Sequence, residues 1–348
     1  MPMMTAALYD GKSRIDLVQL EKPEAGPGDA VVRVRCTGIC GSDLLVNAEK
    51  MEQDQVPAGH EVAGQVVEVG DGVDRSLVGR RVAVDTIGAG RACLECRYCR
   101  QGQYRSCADR VPAEGGGFAQ FMRRRATGSF ALPDSLSWEE AGLVEPLAVS
   151  VHAVRRGRMA GGETVAVLGA GNIGLTAVAA ARALGAGKVL ASARHPHQAA
   201  MARTLGADDA LSPDGGAFQD AIEDATDGLG ADFTIETVGG KTNTTLKQAI
   251  EVTRTQGRIV VLGGFHAPIT LDWIEPLLKE QSIVFSSCYS VIDGRHDYEV
   301  AIDLLDSCRE QLEQMVTHRY PLERIQDGFD TAYDKTTGSI KVQIHQGG

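Results

Sequence analysis

The segment TVAVLGAGNIG, residues 164–174, is the most informative part of the sequence about the fold of the chain around it. Its first five residues are mostly apolar and β-branched, which predicts a buried strand. Gly169, Gly171 and Gly174 follow in the spacing G-x-G-x-x-G, and glycine allows the tight turn that joins a strand directly to a helix. The apolar run Ile173–Leu184 predicts that helix. The segment therefore predicts a strand, a glycine turn and a helix in immediate succession.

Apolar strands and alanine-rich helices continue to alternate as far as about Tyr289. This alternation predicts a doubly wound parallel sheet covered by helices, an α/β domain of residues 151–290. The predicted elements after residue 184 are Val189–Ala191, Gln198–Leu205, Phe233–Ile235, Ile259–Leu262 and Ser282–Ser287.

The glycine motif is specific only in its context, because a glycine-rich chain produces some G-x-G-x-x-G matches by chance. A strand before it, a helix after it and a second strand about 20 residues on indicate a dinucleotide site. The helix N-terminus would offer unpaired N–H groups to the pyrophosphate. A plain strand–turn–helix is the alternative. The candidate cofactor contacts are Gly169, Gly171, Asn172, Ile173, Gly174, Ala193, Arg194, Leu262 and Ser287.

The end of the second strand bears on the choice of cofactor. In dinucleotide folds this position normally carries an Asp or Glu that binds the adenosine ribose 2′-hydroxyl. Here Val189–Ala191 leads to Ala193 and Arg194, with no acid before Asp208. A carboxylate would repel a 2′-phosphate, whereas an arginine accommodates one, so the sequence favours NADP over NAD. An exposed turn arginine is the alternative interpretation of Arg194.

The first 150 residues have a different sequence pattern, which predicts short strands separated by glycine-containing turns. Ser137 and Glu140 have the spacing of a capping box, and the apolar run Ala141–Val154 continues the predicted helix. The predicted elements outside the α/β domain are Val31–Arg35, Val62–Val69, Arg81–Val84, a helix at Tyr298–Cys308 and a strand at Ile340–Ile344.

Composition narrows the function. The net charge of −11 argues against nucleic-acid binding, and the basic run Arg123–Arg125 is interpreted as a solvated strand or turn edge. No apolar run reaches the length of about 18 residues that a membrane helix needs. The N-terminus lacks the apolar core of a signal peptide, so a cytoplasmic location is expected. In that compartment the eight cysteines are more suited to metal than to disulfides.

Four of those cysteines, Cys93, Cys96, Cys99 and Cys107, lie within fifteen residues in the pattern C-x2-C-x2-C-x7-C. Four thiolates at this spacing can complete a tetrahedral shell around zinc and leave no position open for chemistry. The sequence therefore predicts a structural zinc site here.

A second metal site is predicted from scattered residues. A catalytic zinc uses three protein ligands and one open position, and Cys40 and His60 supply two of them. The third is Glu61 or Glu145. Glu145 interrupts an apolar run, where a carboxylate is costly unless it is paired or binds metal. Pro146 suggests a break in the helix at Glu145. Adjacent residues of a regular strand face opposite sides, so His60 and Glu61 share an ion only where the backbone is irregular.

At this point the chain resembles the medium-chain zinc-dependent alcohol dehydrogenase family along nearly its whole length. Val144–Val149 looks like the sorbitol, threonine and glucose dehydrogenase branch, and the likeness continues at Gly257–Gly263 and Val316–Leu322. The resemblance implies a GroES-like, mostly-β catalytic domain of residues 1–150 with 291–348. It also implies a Rossmann domain of residues 151–290 and a homodimer or homotetramer.

The resemblance also implies roles for individual residues. Zinc would act as a Lewis acid on a small alcohol, Ser42 would begin a proton relay, and Asp43 would orient His60. The catalytic residues are thus expected to be Cys40, Ser42, His60 and Glu145. Two departures matter. Leu45 replaces a histidine that often extends the relay, and Ser287–Tyr289 replaces the Phe-Arg-Tyr run of sorbitol dehydrogenases, which makes sorbitol itself doubtful as the substrate.

Three functions compete at this level. The leading one is NADP-linked oxidation or reduction at a polyol, sugar, aminocyclitol or other secondary alcohol. The second is an NAD-linked polyol or threonine dehydrogenase. The third is a non-enzymatic zinc protein that senses a dinucleotide, which the acidic charge balance and the predicted open metal position disfavour.

Overall fold

The fold is seen in a computed structural model that describes residues 2–11, 14–44, 56–112 and 114–347. The chain divides into two compact units, residues 1–145 with 289–348 and residues 146–288. The predicted ranges were 1–150 with 291–348 and 151–290. Within the described residues, every helix is too short or too polar to cross a bilayer.

The strands and helices have the following bounds. The strands are β1 Met3–Tyr9, β2 Ile15–Glu21, β3 Asp29–Gly38, β4 Glu61–Val69, β5 Arg81–Asp85, β6 Phe121–Arg125, β7 Ser129–Ala131, β8 Thr164–Leu168, β9 Lys188–Ser192, β10 Asp209–Leu211, β11 Ala231–Glu236, β12 Thr253–Val261, β13 Ser282–Phe285, β14 Val291–Ile292, β15 Arg295–His296, β16 Val316–Pro321 and β17 Lys341–His345. The helices are α1 Arg97–Arg100, α2 Trp138–Ala141, α3 Val144–Arg156, α4 Asn172–Ala183, α5 Pro196–Thr204, α6 Ala217–Ala225, α7 Thr244–Val252, α8 Ile274–Leu278, α9 Asp297–Ser307, α10 Arg309–Leu312 and α11 Ile325–Tyr333.

The first unit is built on a mostly antiparallel sheet with the strand order β16-β17-β3-β4-β5-β7, in which β6 also pairs with β3. Valines that alternate along the strands turn inward and pack into one core, as expected for strands with one buried face. That core contains Ala30, Val32, Val34, Val62, Val66, Val82, Val84 and Met122. The last strand, β17, pairs antiparallel with β3. Residues near the C-terminus thus complete a sheet begun near the N-terminus.

The second unit is a six-stranded parallel sheet with the order β10-β9-β8-β11-β12-β13. From β8, the strand order runs outward to β9 and β10 on one side and to β11, β12 and β13 on the other. Doubly wound sheets bind ligands outside the carboxyl ends of the strands at the point where the order changes in this way. The predicted doubly wound α/β domain is confirmed. Its strands β8 and β11 are buried along most of their length, as their apolar sequences predicted.

The glycine turn after β8 follows the predicted logic. Gly169 has φ of 95°, a left-handed conformation that favours glycine. A Cβ on Gly174 would lie 1.9 Å from the Gly169 carbonyl oxygen, so only glycine lets α4 approach this closely. A Cβ on Gly171 would meet nothing within 4 Å. The middle glycine therefore leaves the approach to the helix N-terminus open.

The helix around Glu145 differs from the prediction. The capping box is present, since Ser137 Oγ accepts from the Glu140 N–H at 3.1 Å and the Glu140 carboxylate accepts from the Ser137 N–H at 2.5 Å. However, the helix interruption lies between α2 and α3, ahead of Glu145 rather than at it. Pro146 stands in the first turn of α3, where its missing N–H costs no helical hydrogen bond.

Candidate metal and dinucleotide sites

The four clustered cysteines lie in one lobe of the first unit. Their sulfur atoms all lie within 4.8 Å of one another, and each of the four is a free cysteine. The Cys93 and Cys99 sulfurs are 3.9 Å apart, far longer than a disulfide bond of about 2.05 Å. A tetrahedron with zinc–sulfur bonds of about 2.3 Å has edges of about 3.8 Å. The spacing thus fits a four-thiolate zinc site.

Backbone N–H groups prepare these thiols to bind metal. Amides of Cys93 and Cys96 donate to the sulfurs of Cys107 and Cys93 at 3.3 Å and 3.4 Å. Hydrogen bonds from the Ala108 and Cys99 amides lower the pKa of Cys96 to about 6, whereas burial raises the pKa of Cys99 to about 12. A metal binds the thiolate form, so the lowered pKa of Cys96 favours metal binding and the raised pKa of Cys99 opposes it.

The second predicted site also assembles. Ligand atoms of Cys40, His60 and Glu61 lie within 4.8 Å of one another. Cys40 follows β3, and His60 directly precedes β4, which begins at Glu61. Gly59, with φ of 91°, turns the chain just before His60. The backbone is therefore irregular where the prediction required it, and two adjacent residues can face one point.

Glu61 is held by a residue that the sequence analysis missed. The Lys341 ammonium donates to both Glu61 carboxylate oxygens, at 2.8 Å and 2.6 Å, and to the Ile39 carbonyl at 3.1 Å. Both side chains are buried. Gly38 pairs with Glu61 across the β3–β4 ladder, and a Cβ there would lie 1.9 Å from a Glu61 carboxylate oxygen. Glycine at this position makes room for the carboxylate.

Asp43 faces the histidine, as the family likeness implied. One Asp43 carboxylate oxygen lies 3.8 Å from His60 Nδ1, and the other accepts from the Cys40 N–H at 2.8 Å. Burial alone would lower the pKa of His60, but its hydrogen bond to Cys40 and the charges of Asp43 and Glu145 raise that pKa well above its usual value. This surrounding of anionic groups favours a cation, and zinc bound by the same residues would satisfy it.

Glu145 lies near this cluster without joining its closest set. Among the described residues, the group of ligand atoms within 4.8 Å of one another does not include its carboxylate. Burial raises the pKa of Glu145 to about 7, His60 opposes the rise, and Glu61 adds to it. Ser42 is exposed in the turn after Cys40. Leu45, where the relay was expected to be shortened, lies outside the described residues.

The candidate cofactor residues gather at the carboxyl edge of the parallel sheet. Gly169, Ala193, Leu262 and Ser287 come after the ends of four of its strands, β8, β9, β12 and β13, and α4 begins at Asn172. Ser192, at the end of β9, was not predicted. Its hydroxyl accepts from the Gly169 N–H at 3.0 Å and so ties the glycine turn to the second strand.

The two residues after β9, which bear on the choice between NAD and NADP, are not acidic. Ala193 is buried, and Arg194 is exposed, with no hydrogen bond or ion pair to another described residue. Behind them, α5 begins with Pro196, and the rings of His195 and His197 stack with centroids 5.5 Å apart. No carboxylate follows β9 directly, and the next acidic residue along the chain is Asp208.

Comparisons with known proteins identify the family of the chain. The alcohol dehydrogenase GroES-like domain matches residues 26–134, and the zinc-binding dehydrogenase domain matches residues 172–307. The chain belongs to the medium-chain, zinc-dependent alcohol dehydrogenase family. It is therefore an enzyme, an alcohol oxidoreductase, and the non-enzymatic alternative is not supported.

Within the family, the chain is similar to several enzymes of the predicted branch. It is 31% identical to sorbitol dehydrogenase from Bacillus subtilis, over 98% of this chain and 97% of that one. L-threonine 3-dehydrogenase from Pyrococcus horikoshii is also 31% identical, over 94% and 95%. A Sinorhizobium meliloti 1021 protein solved with NADP bound has a TM-score of 0.86 and 28% identity, over 99% and 100%.

Replacing Lys341 by methionine should destabilise the protein strongly. Removing one partner of a buried ion pair leaves an uncompensated charge and typically costs about 3–5 kcal/mol in the free energy of unfolding. We expect urea denaturation to show this loss for Lys341→Met. Lys247→Met, at an exposed lysine, serves as the control.

The double variant Glu61→Gln with Lys341→Met should recover much of the loss, because it no longer buries an unpaired carboxylate. An unfolding midpoint of Lys341→Met equal to that of the unaltered protein would contradict the role of the pair.

Proposed function

We propose that this enzyme transfers a hydride between NADP(H) and a secondary alcohol or its carbonyl, with a polyol, sugar or aminocyclitol as the class of substrate. The observation that carries the proposal is the convergence of Cys40, His60 and Glu61 on one point within 4.8 Å. Three ligands of this kind with one open position are typical of a catalytic zinc. Sorbitol itself is disfavoured, because Ser287–Tyr289 stands in place of the Phe-Arg-Tyr run.

Cys40, His60 and Glu61 would hold the metal, with Glu145 beside it. A carboxylate has about four lone-pair positions, so Glu61 can keep its hydrogen bonds to Lys341 while it ligates. Glu145 is buried with a pKa near 7, which suits a group that gains and loses a proton near neutral pH. Zinc, when bound, supplies Lewis acidity that makes the alcohol proton easier to remove.

The protein's own groups then handle the proton and hold the geometry. Asp43, whose carboxylate lies 3.8 Å from His60 Nδ1, would orient the ring so that the other ring nitrogen is left for the metal. Ser42, exposed just after Cys40, would take the alcohol proton and pass it outward. The hydride itself goes to the nicotinamide, which the glycine turn and the N-terminus of α4 would bind by its pyrophosphate.

The enzyme should self-associate as a homodimer or homotetramer. Within the part of the chain that the structure describes, β13 pairs with β12 on one side only, and exposed strand edges invite pairing. The apolar side chains of Trp273, Leu278 and Phe285 are also exposed, at 60%, 75% and 72%. Static light scattering should give at least twice the mass of one chain.

Phe285→Asp should shift the enzyme toward the monomer, because it places a charge at that edge. Leu229→Asp is the matched control, since Leu229 is 73% exposed but lies in a loop of the same unit. A monomer at micromolar concentration, or equal masses for the two variants and the unaltered enzyme, would contradict this assembly.

Each chain should bind two zinc ions with different roles. Metal analysis should give about two zinc ions per chain. Cys40→Ser and Glu61→Gln should each lose one zinc and nearly all turnover. Glu145→Gln should keep both zinc ions yet lower kcat by orders of magnitude.

Cys93→Ser is the comparison variant. This variant should have lower thermal stability and should lose the zinc of the four-cysteine site, because the substitution opens the four-thiolate shell. It should keep the zinc at Cys40. One zinc per chain, or activity in Cys40→Ser, would overturn the two-site assignment. Full activity of Glu145→Gln would limit the catalytic carboxylates to Glu61.

The cofactor should be NADP, with Arg194 as the main determinant. A guanidinium can bind a 2′-phosphate through two parallel hydrogen bonds. Losing such a contact costs about 1.5–3 kcal/mol, so Arg194→Ala should raise the KM for NADP roughly ten- to a hundredfold and leave the KM for NAD nearly unchanged. Steady-state kinetics with both cofactors measure this.

Adding Ala193→Asp should invert the preference, because a carboxylate at this position binds the free ribose hydroxyls and repels phosphate. If the unaltered enzyme uses NAD better than NADP at equal concentration, the alternative of an NAD-linked polyol or threonine dehydrogenase replaces the present assignment.

A further inference from the structure

A small pocket of about 260 Å³ adjoins the candidate metal site within the first unit. Its lining includes Asp43, His60, Thr86, Arg91 and Arg124. Pockets for drug-sized ligands typically measure about 300–1,000 Å³, so this one suits a small substrate. Two arginines beside a metal-ligating histidine are not explained by the oxidation of a neutral alcohol.

Arg124 is the more unusual of the two arginines. It lies on β6, where Arg123 and Arg125 point outward, and the alternation of the strand turns Arg124 inward until 7% of it is exposed. The interpretation of this basic run as solvated is therefore wrong for Arg124. Its guanidinium donates to the carbonyls of Arg123 and Gly115, and its Nε is buried without a hydrogen-bond acceptor among the described residues.

Arg91 and Arg110 strengthen the positive field. Arg91 uses its Nε to donate to the Val111 carbonyl at 2.8 Å, and its terminal nitrogens bond no other described residue. Arg110 donates to the carbonyl of Ile87, which lines the pocket, and its own Nε is buried without an acceptor. Burial, followed by repulsion from Arg91, lowers the pKa of Arg124 to about 10, so it remains charged at neutral pH.

The nearby acids are used elsewhere. Asp85 accepts hydrogen bonds from the amides of Ile87, Gly88 and Ala89. Glu114 forms an ion pair with Arg123, on the outer side of β6. The charges of Asp85 and Glu114 act on Arg124 from a distance, but among the described residues no carboxylate forms an ion pair with Arg91, Arg110 or Arg124. A buried guanidinium without a directly paired carboxylate is costly, and a bound anion would supply that partner.

We propose that Arg91 and Arg124 form an anion-binding subsite, and that the alcohol substrate carries a phosphate or carboxylate group which this subsite binds while its hydroxyl lies at the metal. The inference rests on the proposed function and names the substrate class of the same site. Hydrogen bonds of the terminal guanidinium nitrogens to the anion would add to the two carbonyl contacts that Arg124 already makes. The net positive charge would also favour such substrates over neutral polyols.

Calorimetric titration with inorganic phosphate tests the subsite without turnover. Phosphate is titrated into the zinc-loaded enzyme in the presence of saturating dinucleotide, so that the cofactor site is already filled. The unaltered enzyme should bind phosphate, and both Arg91→Gln and Arg124→Met should weaken binding ten- to a hundredfold, as expected for a lost charge-assisted contact. Arg75→Gln removes an exposed arginine of the same unit and should leave binding unchanged.

Arg91 is half-buried, so Arg91→Gln remains informative if Arg124→Met fails to fold. Absence of phosphate binding, or equal binding by the unaltered enzyme and Arg91→Gln, would overturn the subsite. Failure to oxidise any alcohol would overturn the proposed function instead, and it would leave the titration to decide this inference.

Three six-carbon compounds then distinguish the two anions. D-sorbitol, D-sorbitol 6-phosphate and D-gluconate differ chiefly in charge and in the anionic group. One of the two anionic compounds should be oxidised with a kcat/KM at least tenfold above that of sorbitol. Arg91→Gln should remove that advantage, whereas the control Arg75→Gln should keep it. A higher kcat/KM for sorbitol than for both anions would contradict the proposal.

Discussion

A buried ion pair holds the carboxylate of Glu61 beside Cys40 and His60, and the proposed metal site is built around it. Lys341 reaches this carboxylate from β17 and also binds the carbonyl that follows β3. Three strands, β3, β4 and β17, therefore meet at one buried charged point. Without the ammonium, the carboxylates of Glu61, Glu145 and Asp43 would face one another in a region from which water is largely excluded.

The two cysteine-containing sites are surrounded by different kinds of polar group. In the lobe of Cys93 to Cys107, backbone amides stabilise the thiolates, and four sulfurs surround one point. Around Cys40 the charged groups are side chains on several elements, and among the described residues three ligand atoms converge. A closed shell made from one short segment is suited to hold a loop together. An incomplete shell made from distant segments leaves a position free for a substrate.

Local patterns predicted most of this arrangement. The strand, glycine turn and helix at 164–184, the capping box at Ser137 and the clustered cysteines are each encoded within a short stretch, so spacing alone was sufficient. The irregular backbone before Glu61 could be suspected from Gly59. Lys341 could not be inferred, because its partner lies 280 residues away in sequence.

Arg124 shows a different limit of sequence reasoning. Three consecutive arginines suggest a solvated surface, but β6 places its middle residue on the inner face of the sheet. The period of a strand was known in principle, yet nothing in the run itself revealed that β6 would pair with β3 on a covered face. Similarly, the helix interruption moved ahead of Glu145, because a proline is as compatible with the first turn of a helix as with its end.

The distance along the chain between Glu61 and Lys341 has a consequence for biosynthesis. The contacts of the parallel-sheet unit lie within residues 146–288, whereas the other unit needs residues from both sides of that segment. At about 5–20 residues per second, a ribosome adds Lys341 roughly 14–56 s after Glu61. During that interval the nascent sheet lacks β17, and its acidic cluster has no ammonium to neutralise it. The unit of residues 146–288 can therefore complete its fold before the ribosome has made the last strand of the other unit.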